Sequence, residues 1–350
     1  MRIGITYDLK TDGLTMGETG GQFPDDWQEE FDSPATIEAI AAALRDLGHE
    51  VDLLGDGREL LERLLADPPD FVFNLAEGQG VSRSREARVP GVLEMLGIPY
   101  TGSDPMTLAV TLDKDCAKRL VQAAGVAVPG GVVVDDPRSS RLEARLVFPL
   151  IVKPAWEGSR KGIRTNCLVS QAEDLASAIL ALQQDHCQPV LVEEFIEGDE
   201  LTVGVFGNDP PEILGVMRVL PREPMPRFIY SLEVKRDFVR QVQYECPAQI
   251  SPAGLRAVGQ AALTVCRALG CRDVARVDFR LRDGIPYFLE VNPLPGLNPQ
   301  TSDLVILARL CGWSYEKLIE SILQAAFRRI HRGAPGAYAS VHSQITVSKV

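Results

Sequence analysis

Residues 273–296 read DVARVDFRLRDGIPYFLEVNPLPG, two alternating runs on either side of Asp283-Gly284. Val277, Phe279 and Leu281 on the first run, and Tyr287, Leu289 and Val291 on the second, are apolar, as in strands with one buried face. The even positions carry Arg276, Asp278, Arg280, Glu290 and Asn292. A two-residue loop would pair odd with even positions, so the pattern predicts a three-residue loop, Arg282-Asp283-Gly284, with its glycine left-handed. Asp278 then lies beside Glu290, and like charges that close require positive charge between them. Two sources fit. Arg276 and Arg280 could neutralise the acids on a solvated face, or a hard cation could be held by Asp278, Glu290 and the Asn292 amide oxygen.

The rest of the chain bounds the choice. Its 350 residues suffice for two or three compact domains, and 45% hydrophobic with 24% charged residues is ordinary for a globular protein. Lysine and arginine number 36 against 48 acids, a net charge of −12, which disfavours a nucleic-acid or anionic-membrane surface. Seven cysteines scatter without a CxxC pair, so neither a disulfide framework nor a zinc site is expected, and the compartment reads as reducing. The start, MRIGITYDLK, is strand-like rather than a signal peptide, and no apolar run approaches a membrane span. Four histidines, none of them in a motif, make imidazole acid–base chemistry a poor explanation.

Patterning predicts strands over 2–7, 50–54 and 71–75 alternating with helices, the first over 34–47 and stopped by Gly48, which is the signature of a small parallel-sheet α/β unit. A second block opens at Asp113 with a helix to about 124, then strands at 131–134 and 150–153 and a helix over 171–184. Strands dominate after Pro189, followed by a helix over 252–269, the hairpin, a last helix over 314–330, and a small, polar tail. Two loops carry chemistry. FPLIVKPAWEGSRKGI, residues 148–163, is a strand ending in Lys153 and feeding a glycine-bearing loop whose N–H groups could approach an anion. PVLVEEFIEGDELTVGVF, residues 189–206, ends a strand in Glu193-Glu194. Taken singly, the first is equally an exposed turn and the second an acidic edge strand.

Their order gives them joint meaning. Tyr100-Thr101-Gly102-Ser103, Asp113-Lys114, Val152-Lys153-Pro154 with Glu157-Gly158-Ser159, Glu193 with Glu200, Arg276-Val277-Asp278-Phe279 and EVNPLPG (290–296) occur in one collinear series. On these motifs the chain resembles the D-alanine:D-alanine ligases, within the ATP-grasp enzymes, over roughly residues 71–330, with a weaker match before them. The resemblance implies an N-terminal α/β domain over 1–104 and a two-subdomain ATP-grasp fold. Its halves would be 105–188 and 189–331, with a lid at about 224–244 and a tail over 332–350.

It also implies roles. Lys114 and Lys153 would contact ATP phosphates under the loop Glu157, Gly158, Ser159 to Gly162. Glu193, beside Glu194, would take the adenine amino group, Phe195 and Ile196 would flank the base, and Glu200 would bind the ribose. Asp278, Glu290 and Asn292 would hold two Mg2+ ions, with Mn2+ an alternative. Lys235 of the lid would meet the transferring phosphate, and Arg276 with the Gly296 N–H would stabilise the oxyanion formed when an amine attacks an acyl phosphate. Glu29, or its neighbour Glu30, would take the first substrate's ammonium group, and Thr301 or Ser302 the second substrate's carboxylate.

Two departures stand out. Arg236 occupies the place of the family's tyrosine, which normally bonds across to the serine here numbered Ser159; either Arg236 alters the closed site, or it points to solvent and Tyr230 fills the gap. Ser84 to Ala87, SREA, replaces a glycine- and acid-rich turn. The expected activity is D-alanyl-D-alanine synthesis for peptidoglycan in a bacterial cytoplasm, with small-molecule amino-acid substrates and a homodimer as in relatives. The alternatives are a ligase for other amino acids or a peptide, and a nucleotide-binding module without turnover.

Overall fold

The computed structural model describes residues 1–11, 24–136 and 147–332; the tail beyond Arg332 and part of the first loop lie outside them. The first unit is β1 (Arg2–Thr6), α1 (Pro34–Asp46), β2 (Glu50–Gly55), α2 (Gly57–Ala66), β3 (Phe71–Asn74) and α3 (Arg88–Leu96). Its strands are parallel in the order β2-β1-β3. Local chemistry sets the borders of α1. Ser33 Oγ accepts the Thr36 N–H at 3.1 Å, Pro34 supplies a preset first turn, and Gly48 follows with φ +84°.

α4 (Pro105–Leu112) and α5 (Lys114–Ala123) come next, each capped by an aspartate, Asp104 and Asp113. The sequence reading opened this block at Asp113 and missed α4, whose Asp104-Pro105 start is a cap-and-proline signal. An antiparallel sheet follows in the order β4-β7-β5-β6, from β4 (Gly131–Val134), β5 (Leu150–Pro154), β6 (Leu168–Val169) and β7 (Val190–Glu194). α6 (Ala172–His186) covers one face through Leu175 and Ile179.

A second antiparallel sheet runs β10-β9-β8-β11-β12, comprising β8 (Asp199–Phe206), β9 (Glu212–Pro221), β10 (Val242–Glu245), β11 (Val274–Arg282) and β12 (Ile285–Asn292). The short helices α7 (Leu232–Arg236) and α8 (Phe238–Gln241) lie between β9 and β10. α9 (Pro252–Leu269) lays Val258, Ala262 and Val265 on Val203, Val277, Phe279 and Phe288 of this sheet. Full burial of each large side chain there contributes roughly 1.5–3 kcal/mol. α10 (Asp303–Leu310) and α11 (Tyr315–Arg332) close the chain. Leu318, Ile319, Ile322 and Leu323 of α11 share a core with Ile3, Ile5, Phe71 and Phe73, so the last helix returns to the first sheet. Among the described residues no helix is long and apolar enough to cross a membrane.

The motif around Gly102 is a structural tie rather than a site. Buried Asp273, ahead of β11, accepts the Gly102 N–H at 2.8 Å and pairs with Arg329 of α11 at 2.7 Å. Ser103 Oγ accepts the Arg272 N–H.

The hairpin corrects one expectation. Arg282 pairs with Ile285, so the loop is two residues, Asp283 and Gly284, both left-handed at φ +52° and +79°. This is the backbone of a tight primed turn, which Asp-Gly favours. Parity is restored further along by a bulge: Leu289 is extra between Phe288, paired with Phe279, and Glu290, paired with Asp278. Phe288 rather than Leu289 therefore enters the core, at 0% exposure. The predicted neighbours Asp278 and Glu290 are found, by a different route, and Arg276 comes to lie opposite Asn292.

Candidate active site

The four- and five-stranded sheets face one another, and the strand ends that meet line a cavity. β5 and β7 supply Ile151, Lys153, Glu193 and Glu194, and the segment after β7 supplies Phe195 and Ile196. Glu200, Asp278, Leu289 and Glu290 come from the opposite sheet. Burial alone would raise the Glu193 carboxyl, but Lys118 and Lys153 hold it below its usual range; Lys153 Nζ lies 2.6 Å away and Lys118 closer still. Lys118, one helical turn beyond Lys114, is lowered to about 8 by burial. Sequence reasoning passed over it, although i,i+4 spacing on α5 puts the two lysines on one face. Glu200 pairs with Arg280 at 2.7 Å and Arg160 at 3.3 Å, and Glu194 pairs with Arg282.

The loop from Glu157 to Gly162 sits at the mouth. Ser159 and Arg160 have φ of +46° and +67°, a left-handed conformation that costs a non-glycine residue roughly 1–2 kcal/mol. At Gly162, φ +70°, a Cβ would lie 2.4 Å from the Pro154 ring. The loop is fastened from behind. Glu157 meets Lys161 at 2.6 Å, the Gln188 amide at 2.7 Å and Arg85 at 3.2 Å, and Gly158 donates its N–H to Glu30. From α5, Lys114 donates to the Glu157 carbonyl and lies 3.9 Å from Glu290.

Asp278 Oδ1 accepts the Thr202 hydroxyl at 2.8 Å, and Oδ2 faces Arg276 at 3.0 Å. Arg276 also lies 3.6 Å from Glu290 and 3.5 Å from Asp303. Arg280 does not join them, having turned to Glu200, so one arginine spans the two hairpin carboxylates. Burial and the nearby Glu290 raise Asp278, outweighing Arg276; Lys114 and Arg276 overcome burial at Glu290 and hold it at about 2. Asn292 Nδ2 is buried without a hydrogen bond, an orphan on the face that carries both acids. Among the described residues no three His, Cys, Asp or Glu side chains form a metal-sized cluster. The donor set that does converge, two carboxylates and a carboxamide that can turn its oxygen inward, is hard oxygen throughout and fits Mg2+ better than a softer ion.

A second cavity, of about 300 Å³, opens on the other side of Arg276 and Gly296. It is lined by Glu29, Glu30, Ser159, Lys235, Arg236, Thr301, Ser302 and Asp303. Burial lowers the Lys235 ammonium despite Asp303. Ser302 Oγ accepts the Asn298 N–H at 2.9 Å, while Thr301 is exposed. Arg236 does not point to solvent unpartnered; it binds Glu29 at 2.9 Å and Asp25 at 2.7 Å. Nor does Tyr230 reach Ser159. Its hydroxyl bonds Asp303 at 3.0 Å and Tyr244 at 2.6 Å, with the Arg160 guanidinium 3.7 Å over its ring. Glu30 is buried between Arg85 at 2.6 Å and Lys161 at 3.3 Å.

Arg85, 2% exposed, and Asp303, 1% exposed, are buried charges missed in the sequence. A lone arginine in SREA and an acid at a helix start each have an ordinary surface explanation. The segment expected to be the lid, 224–244, is bonded to the end of the glycine loop: the Leu232 N–H donates to the Ile163 carbonyl at 2.9 Å, and Arg164 pairs with Asp26 and Glu233.

Comparison with known proteins agrees with this arrangement. Residues 120–324 match the family described as D-ala D-ala ligase C-terminus. A D-alanine–D-alanine ligase of a Synechococcus strain is 34% identical over 87% of this chain and 92% of its own, and one from Aquifex aeolicus is 34% identical over 82% and 93%. An uncharacterized protein of Sinorhizobium fredii is 35% identical over 94% of this chain and 98% of its own. Among solved structures, D-alanine–D-alanine ligase from Bacillus anthracis complexed with ATP superposes with a TM-score of 0.72 at 24% identity, covering 96% of this chain and all of that one. A D-Ala:D-Ser ligase from Enterococcus faecalis gives 0.69 at 22% identity, over 93% and 99%. These two establish an ATP-grasp fold, and the family and sequence matches establish descent: the chain belongs to the D-alanine–D-alanine ligase family.

Proposed function

We propose that this chain is an ATP-dependent carboxylate–amine ligase that joins two amino acids through an acyl phosphate, with D-alanine as the first candidate for both. The observation that carries the reading is the hairpin face. Arg276, Asp278, Glu290 and Asn292 stand together on a rigid ribbon within reach of Lys114, beside a cavity flanked by Lys153 and Glu193. Mg2+ held by Asp278, Glu290 and Asn292 would neutralise phosphate charge and orient the transferring group. Lys114, Lys153 and Lys235 add positive charge around the same atoms, and phosphoryl transfer needs little beyond such positioning.

When the first substrate's carboxylate takes the γ-phosphate of ATP, ADP leaves and a mixed anhydride remains. The glycine loop and lid, already bonded through Leu232 and Ile163, shield it from water. The second substrate's amine, having lost a proton, adds to the acyl carbon. Arg276 and the Gly296 N–H would stabilise the tetrahedral oxyanion until phosphate departs. Glu29, Ser159, Thr301 and Ser302 bound the amino-acid end. The reading keeps the division into 1–104, 105–188 and 189–331, and with it a cytoplasmic, dimeric enzyme.

A second reading, a ligase on the same scaffold for other amino acids or a peptide, is favoured by Arg236, which stands in place of the family's tyrosine and engages Glu29. A coupled ADP-release assay across D- and L-amino acids tests both. Turnover that depends on D-alanine supports the first, turnover with another amino acid the second. Tight ATP binding without turnover by any of them would defeat both.

A further inference from the structure

Charge accounting at the first-substrate end points away from the expected carboxylates. The substrate carboxylate that accepts phosphate must approach the side of the site bearing Lys114, Glu290 and Asn292, which line one cavity with Arg276 and Gly296. The α-ammonium group two bonds away then requires an acid in that same cavity. Glu29 is bound to Arg236, and Glu30 is bound to Arg85 and Lys161. Glu157 is held by Lys161, Arg85 and Gln188. Glu29 and Glu30 line the neighbouring cavity rather than this one, whereas Glu77 from the segment after β3 and Glu86 from the short turn Arg85–Ala87 do line it. Among the described residues neither makes a hydrogen bond or ion pair, and Glu86 is only 8% exposed.

Resting on the ligase reading above, we infer that Glu77 and Glu86 form the subsite for the ammonium group of the first amino acid, in place of Glu29 or Glu30. Burial raises both carboxyls, Glu86 to about 8 against the pull of Arg85, and Glu77 well above its usual range with a further push from Glu86 and Glu30. Both acids therefore hold their protons while the subsite is empty, and a cation entering beside them favours the carboxylate form. The ion pairs around it have a second use: Arg85 fastens Glu30 and Glu157 to the glycine loop, which leaves the neighbouring glutamates free for ligand.

The test uses the full chain and compares each amino acid with the same acid lacking its amino group, beginning with D-alanine and propionate and extending across D- and L-forms. Binding is measured by calorimetry with Mg2+ and a non-hydrolysable ATP analogue, and ADP release is measured with hydroxylamine as the acceptor. In the wild type the amino acid should bind more tightly than its des-amino analogue. In Glu77→Gln with Glu86→Gln that preference should fall about 10- to 100-fold toward unity, as when a charge-assisted bond is lost. Affinity for the ATP analogue should stay the same. An unchanged preference in the double variant overturns the subsite, as does a wild type with no preference for any amino acid over its analogue. If the preference exists and collapses as expected but no ADP is released, the ligase reading fails while the subsite stands.

Discussion

The hairpin and the pocket proposed for the first substrate hold acids of similar burial, yet they are built in opposite ways. Asp278 and Glu290 sit on adjacent strands, so a period of two and one bulge place them. Glu30, Glu157 and the pair Glu77 and Glu86 come from three separate stretches of chain, brought together by folding and sorted by Arg85. A ribbon fixes its residues through the backbone; the pocket fixes Glu30 and Glu157 through ion pairs that can change partners, and leaves Glu77 and Glu86 without any. The hairpin end is therefore rigid, and the pocket is the part in which specificity can drift.

Three changes probe that contrast. Arg85→Met should have the largest effect on folding, leaving Lys161 as the one cation paired with Glu30 and Glu157 and costing roughly 3–5 kcal/mol in denaturant unfolding. Burial would raise Glu30, but Arg85 and Lys161 bring it to about 2 from 4.5, so its stabilisation is complete above pH 4.5 and is lost as pH falls through about 2. The variant should lose that acid-side limb; a limb of undiminished depth would mean Arg85 does not organise the pocket. Glu290→Gln should reduce turnover at least about 100-fold, given the several kcal/mol that metal-held charge supplies. Its unfolding free energy should fall by less than that of Arg85→Met, roughly 1–3 kcal/mol, because Lys114 and Arg276 hold the Glu290 carboxyl at about 2. Near-normal activity would remove the rigid end of the comparison. Arg236→Tyr should be the mildest, because its ion pairs are half exposed and such pairs are worth about 0–1 kcal/mol. A larger loss in thermal unfolding would show that the lid depends on this latch for more than closure.

Legibility divides along the same line. The helix at 34–46, the strands at 2–6, 71–74 and 150–154 and the helix at 252–269 follow from periodicity, caps and glycine stops, which act within a few residues. The neighbours on the hairpin face were legible for the same reason, although the loop was read one residue too long and its bulge went unseen. Nothing within a few residues of Glu29 says that Arg236, 207 positions later, will hold it, and nothing near Arg85 announces two buried acids. Ion pairing over such separations depends on tertiary geometry. That is why the family motifs offered single residues for the nucleotide end and only alternatives for the amino-acid end.

The extra residue at Leu289 has a bearing on how this ribbon can evolve. Excising it would leave Asp278 abreast of Glu290, since the tight turn would then run straight into the paired acids. It would also straighten the strand and withdraw an aliphatic wall from the cavity between the sheets. On the proposed function, chain length at this one point would tune the grip on the base independently of the hairpin oxygens, a route to altered nucleotide preference that leaves every acid unchanged.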